Sequence, residues 1–188
     1  DLIDAGNKSN IHDWYYIWAT DGLVTPQYAA YGGGGPGTNG ANGKIAHTQA
    51  FWVQGDGGGV PVLTIQEEDK DVSVDEFVKS NNEEDFLRII LANNQGLKFD
   101  ETIIIADANA NDGFVSGEDI PKLFTSEDYW DETILFAAFD GVENMVLSKV
   151  SDEDAEITLK TICGDNIHND LVTMTFDNLA QFGLKKCL

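Results

Sequence analysis

Thr102-Ile103-Ile104-Ile105-Ala106-Asp107 is the stretch from which the fold is read. Successive side chains of a strand point to opposite faces, so three consecutive isoleucines make a strand that is apolar on both sides and suits the centre of a sheet. Leu171-Val172-Thr173-Met174-Thr175-Phe176 has the complementary pattern: Val172, Met174 and Phe176 share one face, and Leu171, Thr173 and Thr175 the other, as in a half-buried strand. Further runs rich in β-branched and aromatic residues lie at Trp14 to Thr20, Gln27 to Tyr31, Lys44 to Gln54, Val60 to Gln66 and Phe86 to Ala92. The series continues at Thr133 to Asp140, Asn144 to Val150 and Glu156 to Ile162. Most are bounded by Gly, Asn or Asp, and Asp140-Gly141 is a hairpin signal between two of them. This spacing predicts an all-β fold, an antiparallel β-sandwich of jelly-roll-like type.

Helical periodicity is confined to connectors. Val74, Phe77 and Val78 are spaced i, i+3, i+4 and predict a short helix over Ser73 to Ser80. Gly117 to Thr125, with Pro121 near its start, predicts a second. The whole chain, 1–188, reads as one sandwich module. The acidic run Glu67 to Asp71 and the polar run Asn81 to Asp85 hint at a seam near residue 80, between a Gly-rich half (1–80) and a C-terminal half (81–188). Eleven of the 19 glycines lie between Gly32 and Gly59. Lacking a GxxxxGK[ST] pattern, they read as a long exposed loop rather than a phosphate cradle.

The chain has 33 acidic residues against 11 basic ones, for a net charge of -22. Ten of the basic residues are Lys, and Arg88 is the single Arg. A charge of this sign argues against nucleic acid, whose phosphates need a basic patch, and against anionic membrane surfaces. No uninterrupted apolar stretch reaches the ~18 residues of a membrane-spanning helix, so no membrane insertion is expected. At 42% hydrophobic residues the chain can bury a core. A solvated acidic surface keeps a protein soluble and monomeric, and bound divalent cations would relieve part of its self-repulsion.

The chain opens Asp1-Leu2-Ile3-Asp4 and closes Lys185-Lys186-Cys187-Leu188, which suggests a mature or excised piece of an exported protein whose signal peptide is gone. Cys163 and Cys187 are the only cysteines. In an exported chain they read as one disulfide, worth roughly 3.5 kcal/mol for a loop of about 25 residues; two free thiols are the cytosolic alternative.

Three constellations bear on chemistry. Asp107-Ala108-Asn109-Ala110-Asn111-Asp112-Gly113-Phe114-Val115-Ser116-Gly117-Glu118 places oxygen ligands at loop positions 1, 3 and 5 and a Glu at position 12, like an EF-hand or dockerin-type calcium loop. Asp112 stands where that loop needs its turn Gly, so the match is imperfect. The candidate Ca²⁺ ligands are Asp107, Asn109, Asn111, Asp112 and Glu118; the alternative is a polar turn satisfying its own backbone. Second, Trp14, Tyr16 and Trp18 fall on one strand face and could offer flat rings to a sugar, with Trp52 and Trp130 as further ligand-binding candidates; a strand buried on both sides explains the pattern equally. Third, His12, His47 and His168 are isolated and no HExxH or GxSxG occurs, so catalysis is not expected.

Several segments in order resemble a β-sandwich module found ahead of the type IX secretion C-terminal sorting domain in large secreted and surface proteins of Bacteroidetes-type bacteria. The aromatic strand Trp14 to Trp18 precedes the Gly-rich loop and then Gly43-Lys44-Ile45-Ala46-His47-Thr48-Gln49-Ala50-Phe51-Trp52-Val53. Leu87-Arg88-Ile89-Ile90-Leu91, Asp100-Glu101-Thr102, Asn111-Asp112-Gly113-Phe114 and Asp119-Ile120-Pro121-Lys122-Leu123-Phe124 follow. The likeness spans Trp14 to Phe182, but this chain has His47-Thr48-Gln49-Ala50-Phe51 where the family often has Pro-Gly-Gln-Gly-Phe. The resemblance implies a secreted or outer-surface, non-catalytic module of exported cargo, acting as scaffold or adhesive surface. A carbohydrate-binding module with a structural calcium ion, taking a polysaccharide or other surface partner, is the alternative.

Overall fold

A computed structural model describes residues 7–20, 22–23, 26–32, 35–46, 48–69, 86–111, 113–124, 134–139, 143–151, 157–162 and 172–178, with 134–139 and 143 as backbone. Its strands are β1 Lys8–Ser9, β2 Ile11–Ala19, β3 Gln27–Gly32, β4 Phe51–Gly55, β5 Val62–Leu63 and β6 Phe86–Asn93. They continue with β7 Lys98–Ala106, β8 Ile120–Pro121, β9 Ile134–Phe139, β10 Glu143–Val150, β11 Thr158–Ile162 and β12 Val172–Asp177. The large sheet runs β11-β9-β10-β7-β6-β12, with β8 also on β10; a smaller sheet runs β3-β2-β4, and β1 pairs β5. Among the described strands every pairing is antiparallel except β10 with β7, which is parallel.

The all-β sandwich expected from the sequence is therefore what the chain forms, and the triple isoleucine decides its layering. Strand β7 lies between β10 and β6, with Leu147 beside Ile103 and Leu87 beside Ile104. Ile103 and Ile105 face the small sheet and pack in one core with Trp14, Tyr16 and Ala30, together with Ile120, Val146 and Leu147. Ile104, pointing the other way, packs with Leu87, Ile89, Leu91 and Val150. Leu159 of β11 and Val172 and Met174 of β12 close on that second cluster. Strands from opposite ends of the sheet order thus reach the same apolar centre, which means that the sheet curls around it. The alternation expected over Leu171 to Phe176 holds from Val172 to Thr175, with Val172 and Met174 half-buried and Thr173 and Thr175 exposed; it ends at Phe176, which is 43% exposed, and Leu171 lies outside the described residues.

Strand β2 is buried on both faces. Trp14 and Tyr16 face the large sheet, while Tyr15 and Ile17 pack with Ala29 and Ala41 on the outer side of the small sheet. Ile45, Phe51 and Val53 cover that outer cluster.

Three local expectations change. The run from Lys44 to Gln54 is a strand only from Phe51, because a turn precedes it: Gln49 N donates to Ala46 O, Ala46 N to Gln49 Oε1, and Thr48 has φ 71°. No helix forms over the described part of Gly117 to Thr125. The backbone turns at Val115, whose carbonyl accepts from both Glu118 N and Asp119 N, and Ile120–Pro121 then pairs with β10. Nor is the Gly-rich segment an exposed loop throughout, since Gly37, Thr38, Asn39 and Ala41 are buried. Thr38 returns to β3 through its backbone N–H on Ala30 O and its Oγ1, which accepts from Ala30 N. The expected helix at 73–80 and the seam near residue 80 lie outside the described residues.

Candidate functional site

The aromatic residues of β2 separate by depth. Trp14 is 1% exposed and stacks on His12 at 4.1 Å with a 7° interplanar angle, so its ring belongs to the core. Tyr16 is also enclosed and donates its hydroxyl to Pro121 O at 2.9 Å, tying the small sheet to β8. Burial pushes the Tyr16 phenol above its ordinary value, and Tyr15 likewise. Two positions further along the same face, Trp18 is half-buried. It lies opposite Tyr28 across the β2–β3 ladder, while Trp52 lies opposite Tyr16 across β2–β4. Tyr28 is the hub: its ring centroid is 4.9 Å from Trp18 at 75° and 5.1 Å from Trp52 at 90°. Edge-to-face contacts of this kind are favourable beyond the area they bury. With 41% of its surface exposed, Trp52 presents apolar area to solvent from a fixed position.

The structure thus brings Trp18 and Trp52 together through Tyr28 and removes Trp14 from any solvent-facing platform, whereas Trp130 lies outside the described residues. Strand spacing alone placed Trp14 and Trp18 on one face, but it could not tell how far the opposing sheet extends beneath them.

A second constellation was not read from the sequence at all. Asp100 and Glu101 stand side by side in β7, 0% and 1% exposed. Lys122 Nζ lies 2.6 Å from both carboxylate oxygens of Asp100. Asn39 Nδ2 donates to Asp100 Oδ1 at 3.0 Å, and Asn39 N donates to Glu101 Oε1 at 2.5 Å. The same Glu101 oxygen accepts from Arg88, while Oε2 accepts from Lys98 Nζ at 3.0 Å. Arg88 also donates to Gly37 O at 3.2 Å. Burying carboxylates without partners would be prohibitive, so the saturated ring of donors is what makes this interior tolerable. It also fastens the Gly-rich segment to the large sheet, which explains why Gly37 to Asn39 is buried. Two signals pointed here: the single Arg of an acidic chain sits inside the apolar run Leu87-Arg88-Ile89-Ile90, and an Asp-Glu pair lies just ahead of Thr102 and the triple isoleucine in the central strand.

In the proposed calcium loop, Asp107 Oδ1 accepts from Asn109 N at 3.0 Å and from Asn109 Nδ2 at 3.2 Å. Those donors hold the Asp107 carboxyl below its ordinary value. Glu118 accepts from Asn111 N and Nδ2 at 3.3 and 3.1 Å. Asp107 with Asn109, and Asn111 with Glu118, therefore form two hydrogen-bonded pairs, and Asp112 lies outside the described residues. The neighbouring Asp119 is buried; it accepts from Val115 N at 2.7 Å, Lys149 N at 2.8 Å and Ser148 Oγ at 3.3 Å. Burial nonetheless pushes its carboxyl up, against the pull of those donors. Among the described residues no group of three or more His, Cys, Asp or Glu is placed so that it could hold a metal ion.

Cys163 and Cys187 lie outside the described residues. Among the described residues no helix is long and apolar enough to cross a membrane. Comparison with protein-family models, curated proteins and solved structures found no match for the chain.

Proposed function

We propose that the chain is a non-catalytic extracellular module of an exported, type IX secretion-like protein, secreted or held at the outer cell surface, and that it works as an adhesive surface. The observation that carries this reading is the Trp18–Tyr28–Trp52 cluster: three rings of the small sheet in edge-to-face contact through Tyr28, with Trp52 exposed. Aromatic rings that are already ordered lose little side-chain entropy on contact and supply large apolar area, so they suit binding better than mobile side chains do. The acidic surface disfavours anionic partners at the same time.

A polysaccharide is the second reading, favoured by the exposed Trp52 ring, whose flat face fits the C–H face of a pyranose. Binding of neutral polysaccharides to the isolated chain should disappear in Trp52→Ala while folding is retained. Unchanged binding would remove this surface from the proposal, and hydrolysis of any polysaccharide would overturn the non-catalytic reading. A structural Ca²⁺ in the Asp107–Glu118 loop belongs to this second reading. It predicts that EDTA lowers the melting temperature, and an unchanged melting temperature would sink it.

A further inference from the structure

Lys122 and Asp100 form an ion pair whose side chains retain 1% and 0% of their exposure, and they come from two different strands' ends. Asp100 is in β7; Lys122 directly follows β8 and donates its backbone N–H to Asn144 O of β10. Because β10 pairs with both β7 and β8, the two side chains meet across it. We propose that Lys122 Nζ and Asp100 Cγ condense into a side-chain amide, a covalent cross-link that the folded chain forms by itself.

The geometry supplies proximity, a route for the proton and a donor for the developing charge. Nζ is 2.6 Å from both Oδ1 and Oδ2, so the nucleophile is held against the carboxyl carbon instead of having to find it. One proton passes from the ammonium to Oδ2 through the existing hydrogen bond, giving an amine and a carboxylic acid. The nitrogen lone pair attacks Cγ, the C–N bond forms, and negative charge develops on Oδ1. Asn39 Nδ2, 3.0 Å from Oδ1, is the donor in place to hold that charge. Asn39 is itself fixed by its backbone N–H on Glu101 Oε1 and by a left-handed backbone, φ 48°. Collapse of the intermediate breaks the Cγ–Oδ2 bond, and the Oδ2 hydroxyl leaves as water with a proton from nitrogen. Amine and acid become amide and water, and nothing is oxidised or reduced. The reaction also has a driving force: an ion pair kept out of water is replaced by a neutral amide, which removes two desolvated charges. The enclosure that raises that penalty also keeps water from reversing the bond.

The product closes a ring from Asp100 to Lys122 that contains the Asp107–Glu118 loop and locks β10 between its neighbours. This does not depend on what the aromatic surface binds. Intact mass measured on the full chain, reduced and denatured, is the test. The expected value is about 18 Da below the sequence mass, for one water lost. Digestion should leave Lys122 uncleaved by trypsin, with the loss mapped to Asp100 and Lys122. Lys122→Arg and Asp100→Ala should restore the full mass, and Asn39→Ala should slow or prevent the loss. The wild-type measurement is decisive even if a variant fails to fold: a chain at its full sequence mass overturns the proposal. A loss of about 17 Da, for ammonia, would place the bond on Asn39 instead and overturn it as well.

Discussion

Replacing Glu101 with Gln removes one charge from the enclosed cluster with almost no change in volume. In the native chain the Glu101 carboxylate faces the two cations Arg88 and Lys98. After substitution no carboxylate at position 101 faces these two cations, and the bonds from Arg88 and Lys98 lose their charge assistance whether or not Asp100 and Lys122 are joined. Removing one partner of a buried ion pair costs about 3–5 kcal/mol. Arg88 and Lys98 retain 22% and 24% of their side-chain exposure and so recover part of their hydration. The low end, about 3 kcal/mol, is therefore expected. With a urea m-value of about 2 kcal/mol/M, the unfolding midpoint should fall by about 1.5 M. Tryptophan fluorescence and far-UV circular dichroism should report the same transition, with intact mass confirming that Lys122 and Asp100 are in the same covalent state in both proteins. Arg88→Met alone and combined with Glu101→Gln completes a cycle, in which a coupling energy above about 1 kcal/mol is expected. A loss below about 1 kcal/mol, or full additivity, would refute the argument that this cluster holds the Gly-rich segment on the sheet.

Trp14→Ala should cost about 3–5 kcal/mol by chemical denaturation, because the whole indole lies between the sheets, whereas Trp52→Ala should cost much less and affect binding instead. Equal losses of stability would contradict the depth assignment. Gly32→Ala should be strongly destabilising, by about 3 kcal/mol or more in melting and urea experiments, because Gly32 has φ 132° and a Cβ there would meet Asp13 O at 2.0 Å. Asp119 gives a pH test. Its folded-state pKa is raised above the ordinary 3.8, so the folded state holds the proton more tightly. Its contribution to stability must therefore fall as pH rises from about 4 through the raised value. Relative to Asp119→Asn, the wild type should lose stability over that window; a difference that grows with pH would reverse the sign of the argument.

The strand pattern was legible because two-residue periodicity is a local property: Ile103 to Ile105 and Val172 to Phe176 carry it whatever lies around them. Boundaries were less legible, since a turn such as Ala46 to Gln49 breaks a run whose composition still favours a strand. The Gly117 to Thr125 helix failed for a related reason. Its spacing allowed a helix, but a partner strand was available and Ile120–Pro121 paired with β10 instead.

Of the candidate surface, the sequence identified the tryptophans but not their depth. Whether a side chain on the correct face is core or platform depends on how far the opposing sheet reaches, and Trp14 and Trp18 differ only in that. The charged cluster shows the limit more sharply. Asn39, Arg88, Asp100 and Lys122 are far apart in sequence and carry no shared spacing, so no local pattern could join them. The sequence by itself determined the all-β class, the doubly buried central strand and the strongly acidic net charge. Only the tertiary structure decided which charges leave the surface, because burial of an ion requires partners that long-range packing alone can supply.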